Sequence, residues 1–256
     1  MARVQQRSPV RRLLAVATAL LAVTVLVVSL LAALGRTSVL PGVADCTAKV
    51  GDDEVELTTA QAERAATVAA RAMRLDLRMR TTAEAISGDL DLGDDDAVVV
   101  ARALKGRSWH ALGCTHGGGA SAEPDELDRR GLTARAAAVR EDLDAAFGEQ
   151  KLGGFAPGGV TDGHMPGSAH YEGRAVDVFF RPVTRPNKVR GWAVAHYLVA
   201  HAERLDVSTV IFDGRIWTAR RGIQGWRDYS PDTAGRSAEV AAVLEHRDHV
   251  HVDVAD

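Results

Sequence analysis

The chain has 256 residues, a formal charge of −3 and 46% hydrophobic content, enough for one sizeable domain or two small ones. Five of its basic residues and none of its acids fall in the first 36 positions, so the remainder carries 26 Lys and Arg against 34 Asp and Glu, formally −8. That balance argues against a nucleic-acid partner, which requires a basic face.

The N-terminus sets the compartment. Arg3, Arg7, Arg11 and Arg12 precede an uncharged run of 22 residues, Leu13 to Leu34. At about 1.5 Å per residue this run spans a hydrocarbon core of roughly 30 Å. The arginines on its N-terminal side place the N-terminus inside and the rest of the chain outside. A cleaved signal peptide is the alternative. Its apolar core is usually about 7–15 residues, and Leu31-Ala32-Ala33-Leu34-Gly35 is a poor cleavage site. The sequence therefore favours an uncleaved single-pass anchor over residues 1–36. Either reading exports the residues beyond it, as a membrane-held or a secreted domain. Cys46 and Cys114 are the only cysteines. In an exported compartment this even count predicts a disulfide. As metal ligands they are weak candidates, since neither sits in a CxxC pair.

Beyond a short linker to residue 57, Ala62, Ala65, Ala66, Ala69 and Met73 keep helical spacing and predict a helix over 60–74, capped by Thr58 or Thr59. A second short helix is predicted over 82–87, ending at Gly88. The run Asp94-Asp95-Asp96 caps a third, with Val98, Ala101 and Leu104 in phase. Residues 37–116 thus read as a small helical region tied by the disulfide, with His110 and His116 as surface loop residues. Residues 117–124 read as a linker by composition, and residues 125–256 as a second domain.

In that domain Thr133 caps a helix over 134–147 that ends at Gly148, and a Gly/Pro-rich loop comes next. Pro186 opens a long amphipathic helix to about 205, with Trp192, Ala195, Val199 and Ala202 inward and His196 and His201 at the surface. Val207–Phe212 is β-rich, Asp213-Gly214 is a hairpin signal, and Ile216-Trp217 begins the return strand.

Two segments carry chemistry. Over Arg174–Phe180 alternation sets Val176, Val178 and Phe180 on one face and Asp177 on the other; over Asp248–Val254 it sets three valines against His249, His251 and Asp253. A buried valine stripe needs no histidine or aspartate behind it, and a divalent metal would satisfy those polar groups. His170, delivered by the loop before Asp177, would join Asp177 and His251. Two imidazoles and one carboxylate leave the fourth position of a tetrahedral zinc open for water. On spacing alone the alternative stands equal: hydrogen-bonding strand residues and a histidine-rich, solvated terminus.

Ser168-Ala169-His170-Tyr171-Glu172-Gly173-Arg174-Ala175-Val176-Asp177 resembles the SxHxxGxAxD signature of the zinc D-alanyl-D-alanine carboxypeptidase and murein endopeptidase superfamily, which also includes Hedgehog-type domains. His249-Val250-His251 resembles its second signature, HxH, and His246 extends this to HxxHxH, as in the murein endopeptidase branch. The likeness covers roughly 125–256 and is most like that of actinobacterial exported proteins with such a C-terminal domain. It implies His170, Asp177 and His251 as Zn2+ ligands. It further implies His249 as a catalytic general base or electrostatic stabiliser, and His246 as an accessory histidine. The dipeptidase branch instead uses a glutamate three residues before its last ligand. Asp248 stands there, a shorter carboxylate on the opposite face of a regular strand.

The expected fold is α+β: a small antiparallel sheet with helices on one side and a zinc cleft on the other, preceded by the helical region and the membrane helix. The expected function is hydrolysis of amide bonds in peptidoglycan stem peptides or cross-links, with a peptidoglycan peptide as substrate partner. The alternative is a non-catalytic zinc-containing module that binds cell wall or protein. Arg174 reads as a substrate contact or as a partner of Glu172, and His164 as a support for the site. Trp217, Trp226 and Tyr229 read as core or cleft residues.

Overall fold

The computed structural model describes residues 44–119 and 126–256. The predicted anchor over 1–36 and most of the predicted linker lie outside the described residues. Among the described residues no helix is long and apolar enough to cross a membrane.

Six strands make one antiparallel sheet: β4 (Leu152–Gly153), β5 (Ala175–Phe179), β6 (Val207–Phe212), β7 (Arg215–Thr218), β8 (Arg227–Asp228) and β9 (His249–Val254), in the order β4-β5-β9-β6-β7-β8. The predicted hairpin at Asp213-Gly214 joins β6 to β7, with Asp213 and Gly214 both in the left-handed region where a tight turn needs them. Val176, Val178, Val250 and Val252 face the core, where they join Trp192 and Leu198.

Two helices cover that apolar face. α4 (Ala134–Phe147) starts where expected, Thr133 accepting a bond from the Ala136 N–H, and stops at Gly148. α5 (Arg185–Ala200) has Thr184 as cap and Pro186 in its first turn, where a missing N–H costs nothing. It ends five residues short of the expected 205, in turns that lead to Asp206 at positive φ.

The N-terminal half of the described residues is not purely helical. It contains a three-stranded antiparallel sheet of β1 (Cys46–Val50), β2 (Asp53–Leu57) and β3 (Leu112–Cys114), in the order β2-β1-β3. Cys46 and Cys114 are directly opposed across β1 and β3 and form the predicted disulfide. Three helices come after β2. α1 (Thr59–Arg74) opens with a capping box between Thr58 and Gln61. α2 (Met79–Leu90) runs through Gly88 rather than stopping there, because Ala83, Ile86 and Leu90 continue the buried stripe. α3 (Asp94–Leu104) is capped by Gly93, which puts the three aspartates in its first turn, favourable against the helix dipole.

Residues 44–256 form one compact unit. Both halves contribute to a single core, since α1 and α3 also pack on α5. Gly117 and Gly118, expected as linker, lie against β6. The Gly118 N–H bonds to the Val207 carbonyl, and a Cβ at either glycine would collide with neighbouring atoms.

With both sides of α5 covered, His196 and His201 are buried rather than at the surface. His196 Nε2 accepts from the Ala111 N–H at 3.0 Å, and its Nδ1–H donates to the Ala103 carbonyl at 2.8 Å. Burial drives its pKa down to about 3 despite the bond to Ala103. The unfolded chain, with a histidine pKa of about 6.5, therefore takes up a proton before the folded one does. His196 then stabilises the fold fully above about pH 6.5. That contribution is lost at about 1.4 kcal/mol per pH unit as pH falls toward 3. Urea midpoints at pH 7, 6, 5 and 4 should show this slope, and His196→Gln should be less stable at pH 7 and lose that part of it.

Candidate metal centre

Strand pairing brings the first two ligand candidates together. β5 and β9 are antiparallel neighbours with Asp177 opposite His251 and Phe179 opposite His249, so these four side chains share the face away from the helices. His170 arrives on a short 3-10 turn, Ala169–Glu172. The Ser168 hydroxyl accepts from the His170 N–H, and Gly173 reverses the chain at φ 67° to send it into β5.

Both histidine candidates are fixed by a second contact. His170 Nδ1 lies 2.7 Å from the Gly154 carbonyl. A carbonyl only accepts, so Nδ1 carries the proton and Nε2 presents its lone pair. His251 Nε2 lies 2.7 Å from Asp253 Oδ1, which leaves Nδ1 to face inward. His170 Nε2, Asp177 Oδ1 and His251 Nδ1 then form a triangle with sides of 3.1, 3.3 and 3.0 Å. Tetrahedral zinc with bonds of about 2.0–2.1 Å requires ligand-to-ligand distances of about 3.3 Å. The three buried groups can thus hold a metal ion.

The charges are strongly coupled. Burial opposes ionisation of Asp177, but its bonds to His170 and His251 hold the carboxyl far below the usual range. Burial likewise opposes charge on His251, and Asp253 and Asp177 override it, raising the pKa to about 10.

His249 stands beside the triangle, its Nε2 3.8 Å from Asp177 Oδ1. Its Nδ1 is 2.7 Å from Asp248 Oδ1, and Asp248 Oδ2 is 2.5 Å from Arg181 Nε. Asp248 therefore does not point away from the site, as a regular strand would require: it precedes β9 and its carboxylate meets the Nδ1 of His249. The His246 ring is 4.5 Å from that of His249 and 5.3 Å from that of His251. Burial, with His251 and His249 nearby, keeps His246 neutral, its pKa pushed down to about 3.

His164 stacks on His170 with ring centroids 3.9 Å apart, the supporting position expected of it. Arg174 pairs with Glu172 and with Asp256, 2.6 Å away. Trp217 is core and bonds the Cys114 carbonyl, Trp226 bonds the Leu112 carbonyl, and Tyr229 lies against His246. Sequence reasoning assigns no role to Asp253 or Gly154. Asp253 is legible in principle, since alternation puts it on the face of His251 two residues earlier.

Residues 128–240 match the family described as VldE, C-terminal domain. The match includes His170 and Asp177 and stops before β9. No curated protein and no solved structure gives a significant match.

Gly154 adopts φ 81°, and a Cβ there would run into the His170 ring and lie 3.1 Å from Asp177 Oδ2. Gly154→Ala should therefore weaken binding of Zn2+, used as a probe ion, by about tenfold or more in a chelator competition. Gly158→Ala introduces the same backbone strain at φ 83° into open space and should leave the affinity unchanged. Equal affinities in the two variants would remove Gly154 from the site.

Proposed function

We propose that this chain is a zinc-dependent peptidase of the D-alanyl-D-alanine carboxypeptidase and murein endopeptidase type. It acts outside the cytoplasm on amide bonds of peptidoglycan stem peptides or cross-links. The observation that carries the reading is a triangle of two imidazoles and one carboxylate with a further histidine, His249, held beside it by a carboxylate. Zinc held there would supply a Lewis acid for a carbonyl and a water of lowered pKa.

The side chains divide the remaining work. With Nδ1 committed to Asp248, His249 keeps Nε2 3.8 Å from Asp177 Oδ1, where it can take a proton from the attacking water and return it to the leaving amine. Asp248 keeps that tautomer and steadies the imidazolium that forms, and Arg181 fixes Asp248. His246, neutral and half-buried, packs on His249 and limits its rotation. The predicted anchor over 1–36 would place such an enzyme against the cell wall.

One observation favours a second reading, a zinc-stabilised binding module without catalysis. His170, Asp177, His249 and His251 are each less than 10% exposed. A substrate carbonyl would need that face to open.

The two readings separate in one experiment. The protein and its His249→Ala variant should each hold one zinc, while release of stem-peptide fragments from peptidoglycan falls by about 100-fold or more in the variant. Undiminished activity in His249→Ala would remove His249 from the mechanism. Zinc without fragments from the unaltered protein would establish the binding module instead.

A further inference from the structure

Away from the metal centre, a half-open cavity of about 1080 Å³ lies where the end of α1, the start of α2, the end of α3 and one side of α5 meet. Its wall holds Arg74, Arg78, Arg102, Lys105, Arg107 and Arg190 against a single acid, Asp76. The chain as a whole is acidic, so this concentration runs against composition.

Internal pairing does not account for it. The side chains of Arg78, Arg102, Arg107 and Arg190 make no hydrogen bond or ion pair among the described residues. Helix dipoles explain only part, since Arg74 and Arg102 sit in the last turns of α1 and α3, where a cation is favoured. Arg78 is at the opposite kind of end. It is the N-cap residue of α2, supplies no cap bond, and leads into a first turn without an acid. A cation at that uncapped, electropositive end adds to the local field instead of neutralising it.

Apolar side chains share the lining with these cations. Met73, Leu77, Phe147, Phe180 and Val194 are among them, and Leu77 is 37% exposed. Lys105 is occupied structurally, its Nζ bonding the Leu77 carbonyl and the Thr82 hydroxyl.

We infer that this cavity binds an anionic amphiphile, an organic phosphate whose apolar part lies on Leu77, Phe147 and Phe180 and whose phosphate is held by the arginine rim. Guanidinium forks match phosphate oxygens, and a phosphate brings more charge than a carboxylate to a wall with one acid. The volume suits a ligand of drug or lipid-headgroup size. The inference stands apart from the metal centre and needs no zinc.

Calorimetry with dihexanoylphosphatidic acid, below its micelle concentration, tests it against dihexanoylphosphatidylcholine and inorganic pyrophosphate. The lipid phosphate should bind saturably, and the other two about tenfold or more weakly. The double variant Arg78→Glu, Arg190→Glu should lose about 100-fold in affinity for the lipid phosphate. A glutamate at the start of α2 suits its dipole, so thermal unfolding should confirm an intact fold. Flotation with phosphatidylglycerol vesicles then identifies the source. Binding there supports a membrane lipid, and binding of the soluble lipid phosphate alone supports a free organic phosphate. No saturable binding, equal binding by the double variant, or pyrophosphate binding as tightly as the lipid phosphate would overturn the inference.

Discussion

The pairing of β5 with β9 is the constraint on which the candidate metal centre rests. It sets Asp177 opposite His251 and Phe179 opposite His249, and alternation does the rest. Valines on one face are held by α4 and α5, and the polar groups on the other have nowhere to turn except toward one another. A slip of one residue in this register would bury the ligands in the core and expose the valines. Hydrophobic burial therefore pins the ligand geometry, at about 25 cal/mol per Å² of apolar surface removed from water.

The supporting contacts reach the triangle from several elements. Gly154, just after β4, orients His170; Asp253, from β9 itself, orients His251; Asp248 and Arg181 orient His249. The N-terminal half of the described residues contributes at longer range. Its disulfide staples β1 to β3, and α1 and α3 close the outer side of α5, whose inner side packs on the sheet. His196, spanning from α5 to the Ala111 N–H and the Ala103 carbonyl, makes one polar tie between the halves.

Much of this is legible from local signals. The helix over 134–147 has its own cap and its own terminal glycine, and the strands at 175–179 and 249–254 alternate within their own lengths. Asp177 and His251 are legible because chemistry sits on the polar face of each strand, and His170 because it stands in the loop that leads into the first of them. The features that sequence alone does not reveal depend on neighbours distant in the chain. β1 and β2 are five residues each, with acids and a lysine outward, and only the pairing of β1 with both β2 and β3 reveals the inward Cys46, Ala48, Val55 and Leu57 as core. His196 is buried because a second layer covers the side of α5 that periodicity assigns to solvent. The role of Asp248 is hidden because alternation does not extend to a residue just outside its strand.

The central claim is that His170, Asp177 and His251 hold one zinc ion with His249 at its open side. The most direct measurement is a crystal structure of the zinc-loaded protein with anomalous diffraction collected at the zinc edge. The account predicts a single strong peak about 2.0–2.1 Å from His170 Nε2, Asp177 Oδ1 and His251 Nδ1. A fully loaded crystal with no peak there, or with zinc on other residues, would contradict it.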